Sequence, residues 1–162
     1  MIVNYELEEV YQRQFSRVYR ICLFLLKNRQ DAEDSCHNIF IKYIKKQPKF
    51  ENLEHEKAWF IRVSRNQCND FFKLFWNKNK RELSTQLPDL SYEDKSIQID
   101  LLTELMDMPS KFGLTLYLYY YEEYSVKEIV RVMDIKESTI QSRLHHGRRK
   151  LKNILGDDYY EE

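Results

Sequence analysis

Glycine and proline each occur only three times in 162 residues, so the chain has few places to break a helix or turn sharply. The runs between them are dominated by Leu, Lys, Glu, Tyr and Asn, with apolar residues at helical rather than alternating spacing. An all-α chain of one or two small domains is the expected result. The longest strongly apolar run, ICLFLL (residues 21–26), is far short of the ~20 residues a membrane span needs. The N-terminus MIVNYELEEV lacks the basic-then-apolar pattern of a secretion signal. Cys22, Cys36 and Cys68 share no CxxC spacing and sit among apolar-periodic neighbours, which fits buried thiols in a reducing cytoplasm.

Three helices are expected in the first half. Over residues 6–27, Leu7, Val10, Tyr11, Phe15, Val18, Ile21, Cys22 and Leu25 keep close to a 3.6-residue period. Asp31 is the expected N-cap of a second helix, with Glu33 and Asp34 in its positive first turn. Ala32, Cys36, Ile39, Phe40, Tyr43 and Ile44 then share one face until Pro48. The third helix is expected from about residue 57 to about 76. At 100° per residue it places Phe60, Ile61, Val63, Phe71, Leu74 and Phe75 on one side. Arg62, Arg65, Asn66, Asn69 and Lys73 form an acid-free stripe on the other, suited to phosphates and exposed base edges or simply to solvent.

The second half begins after a polar stretch. Ile97, Ile99, Leu101, Leu102, Leu105 and Met106 restore apolar content. A Tyr-rich helix is then expected over about 110–122. Ser125 and Glu128 match the capping box S-x-x-E, followed by Val126, Ile129, Val130 and Met133 on one face. Ser138 and Gln141 repeat that signature, so a second helix is expected from Thr139, burying Ile140, Leu144, Gly147 and Leu151, with Ile154 and Leu155 continuing that face. Two short helices around a tight turn, the second long and basic, make a helix-turn-helix.

Charge supports that reading. The formal net charge is zero, yet residues 111–156 hold 9 Lys/Arg against 5 Asp/Glu, while the tail 157–162 holds no Lys/Arg against 4 Asp/Glu. Gln141, Ser142, His145, His146 and Arg149 point away from the apolar face, and Arg143, Arg148, Arg149, Lys150 and Lys152 supply charge for a DNA backbone. Ser125 and Lys127 could donate to phosphate across the groove. Adjacent histidines on a helix diverge by 100° and chelate poorly, so no metal or other cofactor is expected. The sequence offers no nucleophile–base pair and no Gly-rich phosphate loop, which argues against an enzyme.

At this point SVKEIVRVMDIKESTIQSRLHHGRRKLKNIL resembles region 4 of the extracytoplasmic-function sigma factors of bacterial RNA polymerase. VYRICLFLLKNRQDAEDSCHNIFIKYIKK and HEKAWFIRVSRNQCNDFF resemble region 2 of the same family. The resemblance implies two helical domains, region 2 over 1–77 and region 4 over 97–156, joined by a flexible linker, 78–96, and followed by an acidic tail. It implies that Asp31, Asp34, Asn38 and Phe40 dock on core polymerase. It implies that Lys49, Phe50, Asn52, Trp59, Arg62, Arg65, Asn66 and Asn69 lie along the unpaired −10 strand of the promoter, although Trp59 suits the core equally well. Ser138, Thr139, Gln141, Ser142, Arg143, His145, His146, Arg148 and Arg149 would contact the −35 element. An anti-sigma partner is also implied. The chain departs from the family pattern at Glu123, which replaces a usual Gly, and at Val130, which replaces a usual Ala. The alternative that the residues leave open is a stand-alone helix-turn-helix regulator that never joins polymerase.

Overall fold

The computed structural model describes residues 5–78 and 97–155, and the expected linker and acidic tail lie outside them. The described residues contain helices and no strand. They fall into two compact units, one within Met1–Pro88 and one within Asp89–Glu162.

The first unit packs α1 (Tyr5–Leu26), α2 (Arg29–Lys46) and α3 (Leu53–Lys78) around one core. On α1 the fully buried row is Val10, Gln14, Val18, Ile21 and Cys22, not the row through Tyr11 and Phe15, which are 44% and 36% exposed. The glutamine takes a core position because its amide has a buried partner, Glu56. Asn28, not Asp31, caps α2: its Oδ1 accepts from Asp31 N at 2.9 Å, which places Asp31 in the third helical position. Ala32, Cys36, Ile39, Phe40 and Tyr43 are buried as the period requires, but Ile44 is exposed at the end of the helix. α3 begins four residues earlier than expected, where Asn52 Oδ1 accepts from His55 N at 2.8 Å. Its buried row is Phe60, Ile61, Ser64 and Cys68, and Ser64 satisfies its hydroxyl on Phe60 O at 2.6 Å. Leu74, expected on that face, is exposed near the end of α3.

The second unit contains α4 (Ile97–Asp107), α5 (Ser110–Leu116), a π-helical turn (Tyr117–Tyr121), α6 (Val126–Met133) and α7 (Glu137–Leu155). The expected single helix over 110–122 thus widens after Leu116. The wide turn buries Tyr117, whose hydroxyl donates to Glu122 Oε2 at 2.7 Å, and leaves Tyr120 and Tyr121 partly exposed. On α6 the buried set is Ile129, Val132 and Met133, with Val126 and Val130 half-buried, so the face is rotated from the expected one. On α7, Ile140, Leu144, Gly147 and Leu151 are buried as expected, while Ile154 is exposed. α7 starts at Glu137, which moves Ser138 from the expected cap into the first turn.

The capping box at the head of α6 is complete. Ser125 Oγ accepts from Glu128 N at 3.1 Å, and Glu128 Oε1 accepts from Ser125 N at 3.0 Å. Ser125→Ala is expected to cost about 1 kcal/mol, measurable as a lowered urea midpoint at unchanged slope.

With so few glycines, left-handed corners fall to other residues: Lys27, Gln47, Glu123 and Asp134 all have φ between 44° and 59°. Glu123 (φ 59°) stands where the resembled family has Gly, and its backbone is the one glycine adopts without strain. Glu123→Gly is therefore expected to stabilise this unit by roughly 0.5–1 kcal/mol, read as a raised melting temperature.

Candidate nucleic-acid and polymerase interfaces

On α7 the apolar row faces α5, and the opposite side is open to solvent. Ser138, Gln141, Ser142, His145, His146 and Arg149 are exposed, while Thr139, Arg143 and Arg148 are half-buried. Arg148 is not free: its Nε donates to Tyr120 Oη at 2.6 Å, and its guanidinium lies 5.3 Å and 5.6 Å from the ring centroids of Tyr119 and Tyr120. The sequence grouped it with the −35 contacts and the charges for the DNA backbone, but here it ties the helix to the π-helical turn. His145 and His146 stand edge to face at 5.3 Å, and among the described residues no group of His, Cys, Asp and Glu could hold a metal ion. Lys127 is exposed at the head of α6.

In the first unit, the segment between α2 and α3 is held by its own side chains. Glu51 N donates to His55 Nδ1 at 3.1 Å, and Asn52 is engaged as the α3 cap. Phe50 lies within an aromatic cluster, 5.5 Å from His55, 5.8 Å from Trp59 and 6.2 Å from Tyr43. Trp59 packs edge-on to Phe60 at 4.8 Å yet stays half-buried, so it is a wall of this cluster with one part reaching solvent. Lys49 is exposed, and a cleft of about 680 Å³ runs between it, Phe50, Asn52, Gln47 and Arg13 of α1. Along α3, Arg62, Asn66 and Asn69 are exposed. Arg65 donates through Nη2 and Nε to Asn66 Oδ1 at 2.7 Å and 3.2 Å, so these two side chains act as a pair.

One part of this site escaped the sequence reading. Arg13 binds Glu56 in a two-point fork, Nε to Oε1 at 3.0 Å and Nη2 to Oε2 at 2.9 Å, and Gln14 Nε2 adds a third bond at 2.9 Å. Burial pushes the Glu56 carboxyl up, but the bonds from Arg13 and Gln14 and the charges of Arg13 and Arg17 outweigh it and hold it below its ordinary value. This clamp fixes the start of α3, and with it the aromatic cluster, to α1. No local signal marked it: Gln14 joins the buried row of α1 because Glu56 of α3 supplies its partner.

The residues expected to meet polymerase lie along α2 but are not equally presented. Asp34 and Asn38 are exposed. Asp31 is half-buried, its carboxyl pushed up first by desolvation and then by the charge of Asp34. Phe40 is only 6% exposed, packed 4.8 Å from Tyr11 and 5.4 Å from Phe60, so it belongs to the core and does not project as a docking contact. Between α1 and α2 it floors a groove of about 880 Å³. The rims of that groove carry the exposed Tyr11, Phe15, Ile41 and Ile44. Among the described residues no helix is long and apolar enough to cross a membrane.

Comparison with known proteins gives a consistent result. The family model for sigma-70 region 2 matches residues 10–78, and that for sigma-70 region 4 matches residues 101–151. The "ECF RNA polymerase sigma factor SigM" of Bacillus subtilis (strain 168) is 28% identical over 91% of this chain and 94% of its own length. The "ECF RNA polymerase sigma factor SigE" of Mycolicibacterium smegmatis is 26% identical over 91% of this chain and 61% of its own. In fold, the chain is similar to the sigma factor RpoE from Bartonella quintana, solved in complex with the anti-sigma factor NepR. That likeness has a TM-score of 0.68 at 20% identity, covering 93% of this chain and 96% of that one. With region 2 and region 4 matched in order on two separate helical units, this chain belongs to the extracytoplasmic-function group of the sigma-70 family of RNA polymerase sigma factors.

Proposed function

We propose that this sigma factor divides promoter recognition between its two units: α7 reads the −35 duplex, and the 49–52 segment with α3 holds the unpaired −10 strand. The observation that carries the first assignment is the open side of α7, where Gln141, Ser142, His145 and Arg149 are exposed opposite a fully buried row. A helix of that kind fits the major groove, where glutamine can pair with adenine and arginine with guanine. For the second, the half-buried Phe50 and Trp59 provide ring faces beside Arg62, Asn66 and Asn69, as extruded bases require. The region 2 unit corresponds to residues 1–77, the region 4 unit to 97–156, and 78–96 to the connection between them.

Core polymerase is the partner of α2, through Asp34 and Asn38, with the exposed apolar rim of Tyr11, Phe15, Ile41 and Ile44 beside them. An anti-sigma factor would compete for such surfaces. Phosphodiester chemistry belongs to core polymerase, so this chain carries no catalytic residue of its own and works in the cytoplasm, where that enzyme is.

Run-off transcription tests the reading: the purified chain with sigma-free core polymerase on fragmented host DNA. Discrete start sites that depend on the chain are expected, and their aligned upstream sequences give both promoter elements. Loss of all such transcripts, together with specific duplex binding by the chain alone, would instead establish a stand-alone regulator. On a promoter so found, the double variant His145→Ala/Arg149→Ala is expected to lower open-complex formation by roughly tenfold or more. A consensus −35 element should restore none of that loss.

A further inference from the structure

The groove between α1 and α2 has unlike ends. Only Lys27 and Asn28 join the two helices, which pack against each other and so run antiparallel. Glu8 is the charged residue at the end formed by the start of α1, while Arg29, Glu33 and His37 gather beside Tyr19 at the other. From Glu8 to Tyr19 the groove follows α1 for about 17 Å, at 1.5 Å per residue. An apolar strip runs between the ends. Tyr11 and Phe15 form a ridge on α1 with their ring centroids 5.1 Å apart, and Phe15 stacks on Tyr19 at 5.9 Å. Ile41 and Ile44 form the facing ridge on α2, and all four rim residues are at least 36% exposed. Aromatic and branched side chains in one exposed strip have the composition of a contact surface. The charges say what fits it. Glu8 and His37 are exposed and make no hydrogen bond or ion pair among the described residues. Arg29 donates through Nε to Glu33 Oε1 at 3.3 Å and also meets Tyr19, yet its side chain stays 63% exposed with donors to spare. Turned by 180° about an axis across the groove, a second copy runs its α1 antiparallel to the first. Its Glu8 then lands beside the first copy's Arg29 and His37, and the reverse contact forms at the other end. Each Tyr11–Phe15 ridge enters the other copy's groove, so the face is complementary to itself.

We propose that this face pairs two copies of the chain while it is off polymerase, through reciprocal Tyr11–Phe15 ridges and two Glu8–Arg29 ion pairs. Pairing covers α2 beside the exposed Asp34 and Asn38, so a paired chain does not engage core polymerase. That consequence rests on α2 being the core-binding helix; the pairing itself does not. Free chain is thus held back until core polymerase competes the second copy away. One groove per copy is a small interface, and a dissociation constant of roughly 1–100 µM is expected.

The test is sedimentation velocity on the full chain across that concentration range. Wild type is expected to pass reversibly from monomer to dimer. Glu8→Lys and Arg29→Glu should each weaken the dimer roughly tenfold or more, with circular dichroism showing both still helical. Mixed in equal amounts, the two variants should pair again, because their exchanged charges attract at both contacts. Ile44→Glu should pair with none of them. Added core polymerase should take up one copy of the wild-type chain. The rate of that uptake should rise less than in proportion to chain concentration, whereas for Glu8→Lys it should stay proportional. A chain that remains monomeric throughout overturns the proposal, whether the groove then binds core polymerase alone or a detergent probe. A dimer that ignores both charge substitutions overturns it too, since another face then makes the contact. A core complex holding two copies would overturn the exclusion, and with it the placing of core polymerase on α2, while the pairing stood.

Discussion

Gly147→Leu is expected to abolish packing of the region 4 unit. A Cβ at Gly147 would sit 3.0 Å from Leu116 Cδ1 and 3.2 Å from Leu116 Cγ, with Phe112 Cβ at 3.5 Å. Leu116 is fully buried, so it has no open space to move into. Three further carbons on that Cβ would force α5 and α7 apart, at about 3 kcal/mol or more. For a unit of this size that is a large share of total stability, since roughly 0.1 kcal/mol per residue is typical. Thermal unfolding followed by circular dichroism should show helix lost at least ~10 °C earlier than in wild type. Run-off transcription that needs the −35 element should fall more than tenfold. The smaller substitution discriminates the cause. Gly147→Ala removes a helix-interior glycine, a gain of up to ~1 kcal/mol, against a tight contact with a fixed neighbour. Its net effect should be small in either direction. A well-folded Gly147→Leu protein would show that α5 and α7 are not in the close contact described here.

The second large effect is expected at the clamp between α1 and α3. Arg13→Met leaves the Glu56 carboxylate, whose side chain is only 5% exposed, with Gln14 as its remaining hydrogen-bond partner. Removing one member of a buried pair typically costs 3–5 kcal/mol. The Arg13 side chain is 40% exposed, so solvent screens part of the interaction, and about 2 kcal/mol is the expected loss. The pH dependence follows from the direction of the Glu56 shift. Its carboxyl is held below the ordinary value in the folded chain, so the clamp stabilises fully above the unfolded value of about 4.3. That contribution is lost as pH falls through the folded value. In Arg13→Met the desolvation that raises this carboxyl is no longer opposed by the guanidinium. The gap in unfolding free energy between wild type and variant should therefore be widest near pH 7 and should narrow below about pH 4. A gap independent of pH would show that Arg13 contributes by packing alone. Function should follow structure here. The clamp holds the aromatic cluster of Phe50 and Trp59 in place, so promoter opening by the variant should weaken more than its core-polymerase affinity.

Features carried by short-range chemistry were legible in the sequence. Helical class follows from apolar spacing and the scarcity of Gly and Pro, and both act within one or two turns. The helix-turn-helix was legible for the same reason. Ser125 and Glu128 are three residues apart, and the bonds they predict are local. The open side of α7 followed from the opposite row being apolar. Even the odd corner residue Glu123 was visible as a departure, and its left-handed φ explains why the family pattern prefers glycine there.

What the sequence could not decide depends on residues far apart in the chain. A 3.6-residue period admits several adjacent rows as the buried one, and neighbouring helices choose between them. Tyr11 and Phe15 therefore face the rim of a groove while Gln14 goes inside, because Glu56, 42 residues away, supplies its partner. Phe40 was expected at a docking surface and lies in the core, since α1 and α3 close over it. Arg148 looked like its basic neighbours, but Tyr120, 28 residues earlier, takes its Nε hydrogen bond. Arg143 looked the same again, and packing beside α5 partly desolvates it without supplying an anion. Local periodicity gave the helices and their order, and the resemblance of their motifs gave the family. Only tertiary packing decided which charges are spent inside the protein and which remain for DNA, because a charge's partner is set by distance in space and not along the chain.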